Sequence, residues 1–156
     1  MSFSSLGLSP QLLKAINALD FKSPTPIQKQ VIPEILNGRD LLGIAKTGSG
    51  KTASYVLPIL SNLKGNTTEK NRNINALVIV PTRELAVQVN EVFQQLSIHL
   101  SYPFKSMAAY GGVSINPQMK GLYGVHVLVA TPGRLLELIE SKALVIVLSL
   151  IAVYLF

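Results

Sequence analysis

The run Ala45-Lys46-Thr47-Gly48-Ser49-Gly50-Lys51-Thr52 constrains this chain more than any other feature, because it follows the apolar residues Leu41 to Ile44 and precedes an apolar segment of helical character. Strand, glycine-bearing turn and helix in that order form a phosphate loop. The backbone N–H groups of the turn point inward, and the helix offers its positive N-terminus to phosphate oxygens. Lys51 is then placed to meet the β- and γ-phosphates, and the Thr52 hydroxyl to meet Mg²⁺. Ala45 stands where the general pattern G-x-x-x-x-G-K-[ST] has its first glycine. A bare G-K-[ST] arises by chance in about one chain in ten of this length, so the flanking strand and helix carry the reading.

With 156 residues the chain suffices for one domain that buries about two-thirds of its unfolded surface. A net charge of +6 favours an anionic partner such as nucleic acid, although the basic residues are scattered and form no block. The absence of cysteine excludes disulfides and thiolate metal sites and fits a reducing cytosol. Met1 to Ser5 shows no basic region followed by an apolar core, so no secretory signal is expected. From Ala143 to Phe156 there is no charge. As a helix those residues would span about 21 Å, less than the roughly 30 Å hydrocarbon core, so no membrane span is expected. Their Val, Ile and Leu content suits a buried strand of a parallel sheet, and a foreign or frame-shifted end is an equal alternative.

Ser9-Pro10 opens a helix through about Leu19, and Thr25-Pro26-Ile27-Gln28 opens another to about Leu36. Strands are expected at Leu41 to Ile44, Ala76 to Val80, Lys105 to Ala109 and Val125 to Ala130. Helices are expected near Thr52 to Leu63, Arg83 to Leu100 and Arg134 to Glu140, and a solvated loop over Lys64 to Asn75. Leu85, Val89, Val92, Phe93, Leu96 and Leu100 recur at helical spacing and predict the inner face of the Arg83 helix. Strands alternating with helices give an α/β fold with a parallel sheet.

In such sheets ligands sit at the carboxyl ends of the strands. Beyond the phosphate loop, those ends carry Pro81-Thr82-Arg83-Glu84-Leu85-Ala86, Gly111-Gly112 and Thr131-Pro132-Gly133-Arg134. Singly each is ordinary turn and cap chemistry. Together, at helix N-termini and with two arginines, they suit successive phosphates of a nucleic-acid strand. Upstream, Gln28 has an amide able to pair with adenine N6 and N7, and Phe21 a ring able to stack on it. Thr25 and Gln28 equally form a T-x-x-Q capping box around Pro26, and spacing alone leaves the two readings even.

With these motifs in order, the chain from Phe3 to about Lys142 resembles the DEAD-box ATP-dependent RNA helicases, closest in texture to the bacterial RhlE type. Phe3 looks like the isolated aromatic upstream of the family's adenine-reading motif, and Phe21 with Pro24 to Gln28 looks like that motif. Asp20 departs from it, since glycine is usual there. Ala45 to Thr52 looks like the family's phosphate loop, in which alanine at the first position is normal. Pro81 to Ala86, Gly111-Gly112 and Thr131 to Arg134 look like its RNA-binding motifs. The resemblance implies a RecA-like fold and ATP held by Phe3, Phe21, Gln28 and Ala45 to Thr52. It further implies Mg²⁺ on Thr52, RNA gripped by its backbone, a cytoplasmic setting, and a helicase or ribonucleoprotein partner.

Phosphoryl transfer to water also needs a carboxylate for Mg²⁺ and a group that positions the attacking water. The family places both in an Asp-Glu-Ala-Asp motif, expected soon after Lys142, where this chain has Ala143-Leu144-Val145-Ile146-Val147-Leu148. Its aspartates are Asp20 and Asp40, and Asp40 precedes the first expected strand, at the end of the sheet away from the phosphate loop. Residues 1–142 are therefore expected to form a partial ATP-binding RecA-like domain, cut short before that motif, and residues 143–156 an apolar tail. ATP turnover by this chain alone is not expected. The alternatives are a non-catalytic RNA-binding module, a truncated or mistranslated product, and, remotely, another phosphate-loop enzyme such as a small-molecule kinase.

Overall fold

A computed structural model of the chain describes residues 2–63 and 74–144, together with the backbone of residues 151–154. Most of the expected loop from Lys64 to Asn75 lies outside the described residues. Contacts divide the chain into two compact units. The first comprises residues 1–64 with 92–102, the second residues 65–91 with 103–156.

In the first unit a short 3-10 turn, Phe3–Leu6, precedes α1 (Pro10–Ala18), α2 (Pro26–Leu36) and α3 (Lys51–Asn62). Helix α1 starts where Ser9 and Pro10 predict, with the Ser9 hydroxyl accepting the Leu12 N–H at 3.4 Å. It buries Leu12, Ala15 and Ile16, the i, i+3, i+4 stripe of a surface helix. Its end is a Schellman motif. The Phe21 N–H reaches the Ile16 carbonyl and the Asp20 N–H the Asn17 carbonyl, both at 3.1 Å, which requires a left-handed residue between the helix and the chain that leaves it. Asp20 is that residue, at φ +58°. Glycine is the usual occupant of this conformation, so the departure at Asp20 has a backbone cost. The apolar stretch Ala53 to Leu60 is buried all round α3, against which α2 packs.

The second unit holds a four-stranded parallel sheet in the order β2-β3-β1-β4, from β1 (Ala76–Ile79), β2 (Ser106–Ala109), β3 (Val127–Ala130) and β4 (Ile151–Tyr154). With period 2, Leu77, Leu128 and Ala109 lie in one buried cluster. There they pack with Leu122 beyond α5 (Ile115–Gly121) and with Leu135 and Leu138 of α6 (Pro132–Glu140). Helix α4 (Arg83–Ser97) buries Ala86, Val89, Phe93 and Leu96, a stripe shifted slightly from the expected one, with Leu85 and Val92 at its margins. The α/β class and parallel sheet are those the alternating pattern predicts.

One expected strand is absent. Leu41 to Ile44 has no regular secondary structure and enters no ladder, and Leu42 and Ile44 are 77% and 85% exposed. An apolar run becomes a strand only where a neighbour supplies its ladder hydrogen bonds, and none of the described strands pairs with this one. The placement of Asp40 by strand direction loses its basis with it. The apolar tail contains a strand at Ile151–Tyr154; residues 145–150, where a strand soon after Lys142 is expected, lie outside the described residues. The Ile151–Tyr154 strand lies parallel to β1 in the register Ala76 to Ile151 through Ile79 to Tyr154.

Candidate functional site

In the first unit the phosphate loop runs as a turn, with the Ser49 N–H on the Lys46 carbonyl at 3.3 Å. Gly48 and Gly50 adopt φ of +77° and +86°, so both need glycine, and helix α3 begins at Lys51. The loop residues Lys46, Thr47 and Gly48 are exposed, while Ser49, Gly50, Lys51 and Thr52 are half-buried. The Lys51 ammonium donates to the carbonyl of Ala45, so it folds back over its own loop. The Ser54 hydroxyl holds the Lys51 carbonyl at 2.6 Å. Just after Thr52, burial pushes the Tyr55 phenol well above its ordinary range.

Gln28 resolves its two readings in an unexpected way. Its Oε1 accepts the Thr25 N–H at 3.0 Å, which is the capping function, and its Nε2 donates to the Gly50 carbonyl of the phosphate loop at 3.2 Å. The side chain is 4% exposed. The capping residue thus ties α2 to the loop across 22 residues of sequence. A Cβ on Gly50 would lie 2.6 Å from Gln28 Nε2, so the close approach depends on glycine there. Phe3 and Phe21 meet at a centroid distance of 6.3 Å with planes tilted by 37°, Phe3 buried and Phe21 half-buried. A cavity of about 340 Å³ is lined by Thr25, Pro26, Ile27, Gln30, Ile44, Ala45 and Ser49. That is the lower end of small-ligand sites. Gln30 was not singled out from sequence, although its i, i+3 spacing from Ile27 puts the two on one face of α2.

In the second unit the three turns at the strand ends come level. Ile79, Ala130 and Ala109 form one row across β1, β3 and β2, so the segments starting at Val80, Thr131 and Tyr110 leave the same edge of the sheet together. Thr82 Oγ1 accepts the Leu85 N–H at 3.2 Å and so caps α4. Pro81, Thr82 and Arg83 are exposed. So are Gly111 and Gly112, with Gly112 at φ +80° and open space where either Cβ would stand. Pro132 and Gly133 are exposed and Thr131 half-buried.

The two arginines of these turns differ. Arg83 lies over the Tyr110 ring, 4.7 Å from its centroid, and remains exposed. Arg134 is 5% exposed, its Nε on Glu137 at 2.7 Å and one terminal nitrogen on the Val113 carbonyl at 2.7 Å. It braces the Gly111-Gly112 segment from within. Tyr110 and Gln118 were not singled out from sequence, and their role depends on a fold that brings α5 back to the end of β2.

A family model described as the DEAD/DEAH box helicase matches residues 25–153, which take in Thr25 to Gln28, Ala45 to Thr52 and all three turns, but not Phe3, Phe21 or Pro24. The chain belongs to this family. Among solved structures it is similar to a DEAD box protein from the hyperthermophile Methanococcus jannaschii. That match has a TM-score of 0.82 and 40% identity, over 93% of this chain and 38% of the other. Among curated relatives it is 44% identical over 142 residues to the DEAD-box ATP-dependent RNA helicase RhpA of Helicobacter pylori, and 44% over 144 residues to the ATP-dependent RNA helicase DeaD of Escherichia coli. It covers 90% and 92% of itself in those matches, but only 27% and 22% of the relatives' length. The parallel sheet with flanking helices is therefore the family's RecA-like fold. No helix among the described residues is long and apolar enough to cross a membrane.

Proposed function

We propose that this chain is the ATP- and RNA-binding part of an ATP-dependent RNA helicase of the bacterial RhlE type, acting in the cytoplasm. Residues 1–142 supply the first RecA-like domain, and residues 143–156 a tail that adds β4. The observation that carries the ATP half is the Gln28 bridge from the α2 cap to Gly50. It makes the adenine-type motif and the phosphate loop of this DEAD-box chain one hydrogen-bonded unit.

Triphosphate oxygens would take the backbone of Lys46 to Gly50 and the N-terminus of α3, drawing Lys51 away from the Ala45 carbonyl and onto the β- and γ-phosphates. Phe21 would stack on adenine, backed by Phe3. Gln28 would exchange its bonds to Thr25 and Gly50 for the base edge, passing the news of an occupied base site to the loop. Mg²⁺ fits this site only in part, and when bound with ATP it supplies charge neutralisation between phosphates. Thr52 would hold it through its hydroxyl. The described carboxylates of the first unit are Asp20, Glu34 and Asp40; Asp20 pairs with Lys22 and Glu34 with Arg39. Among the described residues no cluster of three or more acidic or imidazole groups could hold a metal. Because the sequence carries no Asp-Glu-Ala-Asp run, this chain by itself is expected to bind ATP without hydrolysing it.

RNA would lie along the carboxyl edge of the sheet, its phosphates meeting the backbone at Gly111-Gly112 and Pro132-Gly133, the Thr82 and Thr131 hydroxyls, and Arg83. Arg134 would act by holding the Gly-Gly segment. A helicase or ribonucleoprotein partner would complete the cycle of the whole protein. Titration with a fluorescent ATP analogue and with single-stranded RNA tests the reading. ATP affinity should fall at least tenfold in Lys51→Ala while RNA affinity holds, and phosphate release should stay at background. RNA-stimulated release abolished by Lys51→Ala would overturn the non-hydrolytic reading, and no ATP binding at millimolar concentration would overturn the nucleotide site. RNA affinity without any ATP affinity would make the chain an RNA-binding module.

A further inference from the structure

Arg83 is the exposed cation of the three turns, and an exposed arginine alone would spread over many rotamers. Its guanidinium is instead 4.7 Å above the Tyr110 ring. Tyr110 is itself fixed by a side chain that no motif includes. Gln118 of α5 closes both hydrogen bonds of its amide on one residue, Oε1 accepting the Tyr110 N–H at 3.3 Å and Nε2 donating to the Tyr110 carbonyl at 3.1 Å. That pairing substitutes for a missing strand neighbour at the point where β2 ends and the Gly-Gly segment begins. Three residues further on, Arg134 grips the Val113 carbonyl. The segment Tyr110 to Val113 is therefore held at both ends, while its glycines stay open.

We propose that Gln118 is a positioning residue for RNA binding: its two-bond clamp on Tyr110 fixes the ring as a platform that presents Arg83 to a phosphate of a single-stranded RNA. The proposal rests on the RNA reading above. With its carbon over the ring face and the residue exposed, the Arg83 guanidinium keeps N–H donors available to a phosphate oxygen pair. Preorganisation matters because ordering a free arginine side chain on binding costs affinity. The Tyr110 hydroxyl plays no part in the platform, so phenylalanine should serve and leucine should not.

The clamp is read by two measurements on the full chain. In the first, the Arg83 Nε–H resonance of the free protein should be displaced by the Tyr110 ring current. That displacement should vanish in Tyr110→Leu, shrink in Gln118→Ala, and persist in Tyr110→Phe. In the second, binding of a fluorescein-labelled single-stranded RNA is followed by anisotropy across a salt series. Arg83→Ala should lower the slope of log K against log salt by about 0.7, the value for one single-strand phosphate contact. Gln118→Ala and Tyr110→Leu should weaken binding by about two- to fivefold, as for loss of an exposed cation–π contact. Adding Arg83→Ala to Gln118→Ala should weaken binding no further than Arg83→Ala alone. An Arg83 resonance indifferent to Gln118→Ala, or additive losses in the double variant, overturns the positioning role. If the wild-type chain binds no RNA, the RNA reading fails, and with it the proposal that the clamp serves RNA; the resonance then reports only whether the clamp orders Arg83. Should Gln118→Ala unfold, Tyr110→Leu against Tyr110→Phe carries the same comparison.

Discussion

Replacing Gly50 with alanine probes the joint between α2 and the phosphate loop. At φ +86° a Cβ is strained, at about 1–2 kcal/mol for a residue in the left-handed region. The added carbon would also stand 2.6 Å from Gln28 Nε2 and 3.3 Å from Gln28 Cδ. The amide must swing away, and it is 4% exposed with one bond to Thr25 and one to Gly50. Leaving such groups unsatisfied costs about 1–3 kcal/mol. Gly50→Ala should therefore lose about 2–5 kcal/mol, a large part of the 5–15 kcal/mol that holds a typical domain. Gly48→Ala is the internal control. Its φ of +77° carries the same backbone strain, yet nothing lies within 4 Å of its Cβ position, so it should lose about 1–2 kcal/mol. Urea titrations at matched pH would give both values from the midpoint shift at constant slope. In the double variant Gly50→Ala/Gln28→Ala the clash is gone, and the loss should fall short of the sum of the singles by about 1 kcal/mol or more. Equal losses for Gly48→Ala and Gly50→Ala, together with additivity in the double variant, would refute the idea that Gln28 is locked to the loop.

Asp20→Gly removes a strained left-handed residue from the Schellman end of α1 at the expense of an exposed ion pair with Lys22. A gain of about 0.5–1 kcal/mol is expected, raising Tm by about 1–4 °C in differential scanning calorimetry. Arg134→Met keeps the stem and deletes the bonds to Val113 and Glu137. It should lose about 1–3 kcal/mol in chemical denaturation, and a neutral result would show that the buried guanidinium is not a brace. His126 is buried, and burial holds its imidazole below the ordinary 6.5. In the unfolded chain it takes up a proton as pH falls through that value, whereas the folded chain resists. Stability should therefore decline as pH drops from about 6.5 towards the depressed folded value. The Lys105 N–H that now donates to Nδ1 would meet a protonated nitrogen. His126→Gln should flatten that part of the stability profile, and an unchanged slope would assign it to other groups.

What the sequence determined by itself is local. Ser9-Pro10 and Thr25-Pro26 start their helices where they stand, because caps and a fixed proline φ are set by neighbours along the chain. The glycines at 48 and 50 and the lysine that opens α3 were likewise legible, since positive φ and a helix N-terminus need no distant partner. The strands β1, β2 and β3 followed from apolar runs bounded by turn residues, and so did the order of the turns after them. Tertiary structure alone decided which runs were paired. Leu41 to Ile44 has the composition of a strand and no ladder, whereas part of the tail at Ile151–Tyr154 gained one from β1. It also decided that Arg134 is buried while Arg83 is exposed, that Gln28 reaches Gly50, and that Gln118 grips Tyr110. A hydrogen-bond ladder, a brace and a clamp each need two segments brought together from far along the chain, and periodicity records only how each segment would face a core, not which partner it meets there.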